Sequence, residues 1–212
     1  MKSLRRDYLD ELLSENSGFI TGKVLDAGGK KFNKKGDFDS AIYSESVTFL
    51  NSDSSSSPDI VASVEAIPAS ENSFDTIIAT ELLEYLDDPK FALKEFYRVS
   101  KNNAKLIIST PFLHPIHGDA EFDKLRFSKK YIEEITSDLG FKIISITPMG
   151  STMSVIFDIL KVNFGYASNS KFKNIFLRLL FLFKPIFRNL DRIFDHQKNF
   201  INTGYFIIIK KP

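Results

Sequence analysis

The chain has 212 residues, and its 28 Lys and Arg stand against 27 Asp and Glu, so the average field is close to neutral and gives no case for nucleic acid. It contains no Cys, which excludes disulfides, thiolate nucleophiles, iron–sulfur clusters and Cys-type zinc sites; no metal ligand set is assigned. The length suits one unit, 1–212, able to bury a core without staples.

Over 1–16 the pattern Leu4, Tyr8, Leu9, Leu12 and Leu13 predicts a helix. Its charged start, MKSLRRDYLD, is not that of a signal peptide, so a cytoplasmic location is expected. Lys23 to Asp26 reads as a short buried strand ending in Ala27-Gly28-Gly29. A Lys-rich stretch (Lys30, Lys31, Lys34, Lys35) leads to a second strand, Val47 to Leu50, which ends at Asn51-Ser52-Asp53. A third strand is expected over Asp59 to Val64 and a fourth over Phe74 to Ala79. Asp88 as N-cap and Pro89 at the first helical position open a helix with Ala92, Phe96 and Val99 on one face, ending at Asn102-Asn103. Leu106 to Ser109 is a fifth strand. Ser128 then caps a helix that closes at Gly140, and Phe141 to Ile146 is a sixth strand. After a helical segment over 151–200, Gly204 to Lys210 is a strong last strand that re-enters the sheet. The alternation implies an α/β fold whose ligands bind outside the carboxyl ends of the strands.

Two glycines at a strand end let the backbone turn sharply and a ligand approach the main chain. Asp53, about 25 residues on, is placed to accept both hydroxyls of a ribose, which points to a nucleoside cofactor. The G-x-G-x-x-G fingerprint is absent, because Lys30 and Phe32 stand where a dinucleotide site wants glycine and a tightly packed helix start; pyrophosphate binding is disfavoured.

These residues resemble the class I S-adenosylmethionine-dependent methyltransferases over about 22–150. VLDAGG is similar to the family's first motif, DIVASVEAIPASENSFDTIIATELLEYLDDP to its third and fourth strands, and FALKEFYRVSKNNAKLIISTPF to the following helix and fifth strand. The resemblance implies a Rossmann-like, mostly parallel seven-stranded sheet with an antiparallel last strand and a helical insertion before it. It implies S-adenosylmethionine as cofactor, with Asp26, Ala27, Gly28, Gly29, Asp53, Ser63, Val64, Glu65 and Thr80 around it. Three positions depart from the pattern: Lys30 for the last glycine, Ser63 for an adenine-binding Asp, and Tyr85 for the His of an "LEH" triplet. More narrowly, PFLHPIHGD followed by LRFS resembles a subgroup of bacterial methyltransferases associated with surface-polysaccharide biosynthesis.

A sulfonium is already an activated methyl donor, so the protein mainly has to align the acceptor and exclude water. For a hydroxyl acceptor a general base helps, and histidine suits that role. His117 and His114 lie just past the fifth strand, with Asp119, Glu121 and Asp123 near enough in sequence to orient one of them. Asp119 and Arg126 are the candidate acceptor-binding residues; His196 has no role. For His114, packing or capping is the favoured reading. Amine methylation is disfavoured, since Ala79-Thr80-Glu81-Leu82 stands where a Pro-Pro-aromatic clamp is expected.

From Lys161 to Lys198 eight basic residues face Asp191 and Asp195, and seven of the 21 Phe lie between Phe172 and Phe200. The stripe Phe172, Ile175, Phe176, Leu179, Leu180 and Phe183 predicts helices, kinked at Pro185. Packing as a lid is the favoured reading of 172–194. The alternative is a peripheral contact with an anionic membrane surface, or with a second subunit. Two other function classes stay open: a non-catalytic binding protein that kept the fold, and an oxidoreductase whose Lys30, Lys31, Lys34 and Lys35 would neutralise phosphates.

Overall fold

A computed structural model describes residues 2–32, 36–118, 120–166, 171–195 and 200–212. Lys34, Lys35, Asp119, His196 and Lys198, all singled out in the sequence, lie outside the described residues.

Seven strands form one sheet: β1 (Lys23–Ala27), β2 (Ser46–Asn51), β3 (Ile60–Val61), β4 (Phe74–Thr80), β5 (Ser100–Pro111), β6 (Lys142–Met149) and β7 (Gly204–Lys210). Their order is β3-β2-β1-β4-β5-β7-β6, with β7 antiparallel to both neighbours and the other pairs parallel. The expected Rossmann-like sheet with its antiparallel last strand is therefore present. α1 (Leu4–Glu15), α2 (Pro89–Val99) and α3 (Lys129–Asp138) flank it, and α4 (Thr152–Tyr166), α5 (Lys171–Leu182) and α6 (Lys184–Asp191) make up the helical insertion before β7.

β7 shows why the sheet is buried on both faces. Tyr205, Ile207 and Ile209 face the core that also holds Leu93 and Phe96 of α2 and Ile132 and Ile135 of α3; Phe206 and Ile208 face the core under Leu9 and Leu13 of α1. A continuous apolar run is what two covered faces require. A third cluster, Leu4, Phe157 and Leu180 with Phe176, Phe181 and Phe187 against it, ties α1 to α4, α5 and α6.

Several boundaries differ from the sequence reading; β5 runs from Ser100 to Pro111 where Leu106 to Ser109 was expected, and three other differences have a local reason. β3 is two residues long, because the Ser63 hydroxyl accepts the Glu65 amide at 3.1 Å and turns the chain away from the ladder. α2 stops at Val99 and passes directly into β5; Asn103, at φ 64°, sits within a bulge where the pairing of β4 slips from Ser100 to Lys105. β6 continues to Met149, and it carries Pro148 without loss because it is the edge strand. In addition, among the described residues no α-helix lies between β1 and β2, only a 3-10 turn over Ser40–Ile42.

Candidate active site

At the end of β1, Gly28 has φ 79°, and a Cβ there would lie 2.9 Å from Leu82 Cδ1; a Cβ on Gly29 would overlap the Asp26 carboxylate. Backbone conformation and close packing therefore require both glycines. Asn51, which the sequence reading used only as a strand end, stitches this turn to the neighbouring strand. Its Nδ2 donates to the carbonyls of Gly28 and Gly29 at 3.0 and 3.2 Å, and its Oδ1 accepts the Asp53 amide at 3.0 Å. Asp53 is exposed and uses Oδ1 to accept the Ser55 amide at 2.9 Å; bonds to Ser55 and the charge of Lys30 lower its pKa. Ser63 and Glu65 close on each other, Val64 is buried in the core, and Thr80 ends β4 opposite Ser109. A nucleoside fits this acceptor chemistry, because Asp26 and Asp53 stand at or just beyond the carboxyl ends of β1 and β2.

The second half of the site is a buried charged cluster. Directly after β4, Glu81 takes φ 52°, unusual for a residue with a side chain, and its amide donates to the Ser109 carbonyl and hydroxyl, both at 3.1 Å. Arg5 of α1, only 3% exposed, forks onto Glu81, with Nε 2.9 Å from Oε2 and Nη2 on Oε1, and its Nη1 donates to the Thr203 carbonyl at 2.6 Å. Ser109 Oγ donates to Glu81 Oε1 at 2.6 Å. One turn on, Glu84 is wholly buried and neither side-chain oxygen has a hydrogen-bond partner.

His117 comes from the loop after β5. Its Nδ1 is 3.1 Å from Asp123 Oδ2, which also accepts its backbone amide at 2.8 Å, and Arg126 holds the same carboxylate with Nη1 on Oδ1 and Nη2 at 2.8 Å from Oδ2. Its Nε2 lies 3.5 Å from Glu81 Oε2 and 3.4 Å from Glu84 Oε1. Burial works against the imidazolium, but Glu81 and Glu84 outweigh it and push His117 up to about 9. Burial would also raise Glu81, yet Arg5, His117 and Ser109 hold it well below the carboxylate range; Glu84 is raised, by burial first and then by the charge of Glu81. Tyr85 donates its hydroxyl to the His117 carbonyl at 3.2 Å, and Gly118, at φ 64°, leaves room for that phenol. The residue in place of the "LEH" histidine thus braces the histidine loop.

His114 packs against His117, ring centroids 5.0 Å apart, with Nδ1 2.9 Å from the Pro115 carbonyl and Nε2 3.5 Å from Asp158 Oδ2. Asp158 of α4 in turn accepts the amides of Leu4 and Arg5 at 2.9 and 3.2 Å, so the helical insertion fixes the start of α1 and with it Arg5. The structure brings together His117, His114, Asp123 and Arg126 from the sequence reading. That reading missed Arg5, Glu81, Glu84 and Asp158; a charged residue at the end of an apolar strand, as Glu81 is, was the available signal.

This strand order, parallel except for β7, is that of the Rossmann-like methyltransferase fold. Residues 40–108 match the Methyltransf_11 family, described as a methyltransferase domain. The chain is 25% identical over 220 residues to an uncharacterized protein of Methanocaldococcus jannaschii, covering 98% of this chain and 89% of that one. Among solved structures it resembles geranyl diphosphate C-methyltransferase from Streptomyces coelicolor in complex with S-adenosyl-L-homocysteine (TM-score 0.61, 12% identity, 97% of this chain and 76% of that one). It also resembles phosphoethanolamine N-methyltransferase 2 from Haemonchus contortus in complex with S-adenosyl-L-methionine (TM-score 0.60, 14% identity, 96% and 52%). Those structures share the fold; with the methyltransferase-domain match over residues 40–108, they support an S-adenosylmethionine-dependent methyltransferase.

Proposed function

We propose that the protein methylates a hydroxyl of a small molecule or glycan. The observation that carries this reading is the buried Glu81–Glu84–His117 group at the carboxyl ends of β4 and β5, beside the glycine turn: Leu82, between the two glutamates, packs on Gly28. The main chain of Ala27, Gly28 and Gly29, with Asp53, would hold the cofactor; Ser63, Val64, Glu65 and Thr80 line the same strand ends. When bound, S-adenosylmethionine supplies a methyl group already activated by its sulfonium. The protein's remaining task is to orient the acceptor and take up its hydroxyl proton.

Glu84 is the proton acceptor in this reading, because its oxygens lack donors and burial favours its protonated form. His117, the base expected from the sequence, already carries a proton at neutral pH, and its charge faces Glu84 Oε1 at 3.4 Å. Arg126, braced by Asp123, keeps the loop in place.

The glycan reading draws support from the helical insertion. Its predicted apolar stripe splits: Phe176 and Leu180 turn inward, while Ile175, Leu179 and Phe183 stay exposed beside Leu182 and Ile186. Lys184 and Arg188 pair with Asp7 and Glu11 of α1, whereas Arg178 is exposed. An exposed apolar face bordered by Arg178 suits a peripheral position on the cytoplasmic side of an anionic membrane, where a lipid-linked sugar would be met. No helix among the described residues is long and apolar enough to cross a membrane.

The test is turnover to S-adenosylhomocysteine with hydroxyl-bearing sugars and extracted glycolipids as acceptors. Glu84→Gln should lower kcat at least about 100-fold with unchanged S-adenosylhomocysteine affinity. Methylation of amines only, or full activity in that variant, overturns the reading.

A further inference from the structure

We propose that Glu81, Glu84 and His117 form a binding site for one divalent transition-metal ion. One ligand atom from each lies within 4.8 Å of the other two, and His117 Nε2 faces Glu81 Oε2 and Glu84 Oε1. Two of the separations are 3.5 and 3.4 Å, too long for good hydrogen bonds. They match the edge of a coordination tetrahedron: two ligands, each about 2.1 Å from a zinc-sized ion, stand about 3.4 Å apart.

A second, independent observation points to a ligand. Glu84 is wholly buried, yet both of its oxygens lack a hydrogen-bond partner, as does His117 Nε2. Buried polar atoms without partners are costly, and here two of them, Glu84 Oε1 and His117 Nε2, face each other at 3.4 Å. An ion bound there would displace the proton that His117 otherwise carries and give both atoms a partner.

The surrounding residues are those a metal ligand needs. A ligating histidine almost always gives its other ring N–H to a carboxylate, and His117 Nδ1 faces Asp123, itself locked by Arg126. Ligating carboxylates are likewise hydrogen-bonded, and Glu81 is held by Arg5 and Ser109. One imidazole and two carboxylates, with no sulfur, suit Zn2+, Mn2+, Fe2+ or Co2+.

The test uses the full chain, stripped with a chelator and then titrated with ZnCl2 or MnCl2 by calorimetry, with Co2+ loading read by visible absorption. One equivalent should bind to the wild type. Glu84→Gln and His117→Asn, checked for folding by circular dichroism, should each weaken binding at least about 100-fold, and Asp123→Asn about 10- to 100-fold. Glu134→Gln, on the exposed face of α3, is the control for adventitious surface binding and should match the wild type. If Glu84→Gln does not fold, the histidine and Asp123 variants decide the matter. Absence of stoichiometric binding by the wild type, or undiminished binding by folded His117→Asn, overturns the proposal. Because the readout is binding, it stands or falls separately from methyl transfer.

Discussion

Arg5→Met, measured in chelator-treated protein, tests whether α1 is part of the active site or only a cover for the sheet. The substitution keeps an unbranched side chain but removes the fork on Glu81, with its 2.9 Å Nε contact, and the 2.6 Å bond to the Thr203 carbonyl. Both partners are nearly closed to water, at 3% and 11% side-chain exposure, so an uncompensated carboxylate is left behind; breaking such a pair costs about 3–5 kcal/mol. In a chain of this length that lowers Tm by roughly 6–20 °C. Glu81→Gln should cost about 2–4 kcal/mol by the converse route, leaving the guanidinium without its charge partner. The double variant should then fall short of the sum of the singles by about 2–3 kcal/mol, as expected for residues in direct contact. Urea denaturation of the four proteins gives the cycle. Additivity within about 0.5 kcal/mol would refute the coupling of α1 to the strand end.

Four other outcomes are expected. Gly28→Ala should cost about 1–3 kcal/mol in urea unfolding and weaken S-adenosylhomocysteine, since it meets both a positive φ and Leu82; an unchanged midpoint would contradict the packing argument. Asp53→Ala should reduce S-adenosylhomocysteine affinity at least about tenfold, by calorimetry, with little change in Tm, because the side chain is exposed. Tyr85→Phe should lower turnover without altering that affinity, as the hydroxyl braces His117 and not the glycine turn. Leu182→Glu with Phe183→Glu should abolish co-sedimentation with anionic vesicles at low salt; persistent binding, or none by the wild type, counts against the membrane face.

The sheet was legible because strands covered on both faces leave long apolar runs, as in Thr76 to Ala79 and Tyr205 to Ile209. The histidine loop was legible through its spacing, which put Asp123 within reach of His117. The rest of the charged cluster was not, because its members lie far apart in sequence: Arg5 reaches Glu81 across 76 residues, and Asp158 caps α1 across 154. Buried charges are placed by tertiary packing, and no local periodicity marks them. The splitting of the stripe in α5 was equally hidden, since a 3.6-residue pattern gives the width of an apolar face but not how much of it finds a partner.

The missing glycines of the first motif follow from the same packing logic. A third glycine in such a motif serves the close approach of the following helix to the strand. Here no α-helix lies between β1 and β2 among the described residues, Phe32 is 68% exposed, and Lys31 pairs with Asp59 just before β3. With no helix to seat, nothing at these positions requires glycine. The structural work of the turn passes to Asn51, whose side chain binds both glycine carbonyls and the amide of Asp53 and so ties the first two strand ends together. Asn51→Ala should therefore resemble Asp53→Ala in cofactor affinity while also losing stability; if only stability falls, Asp53 does not depend on Asn51 for its position.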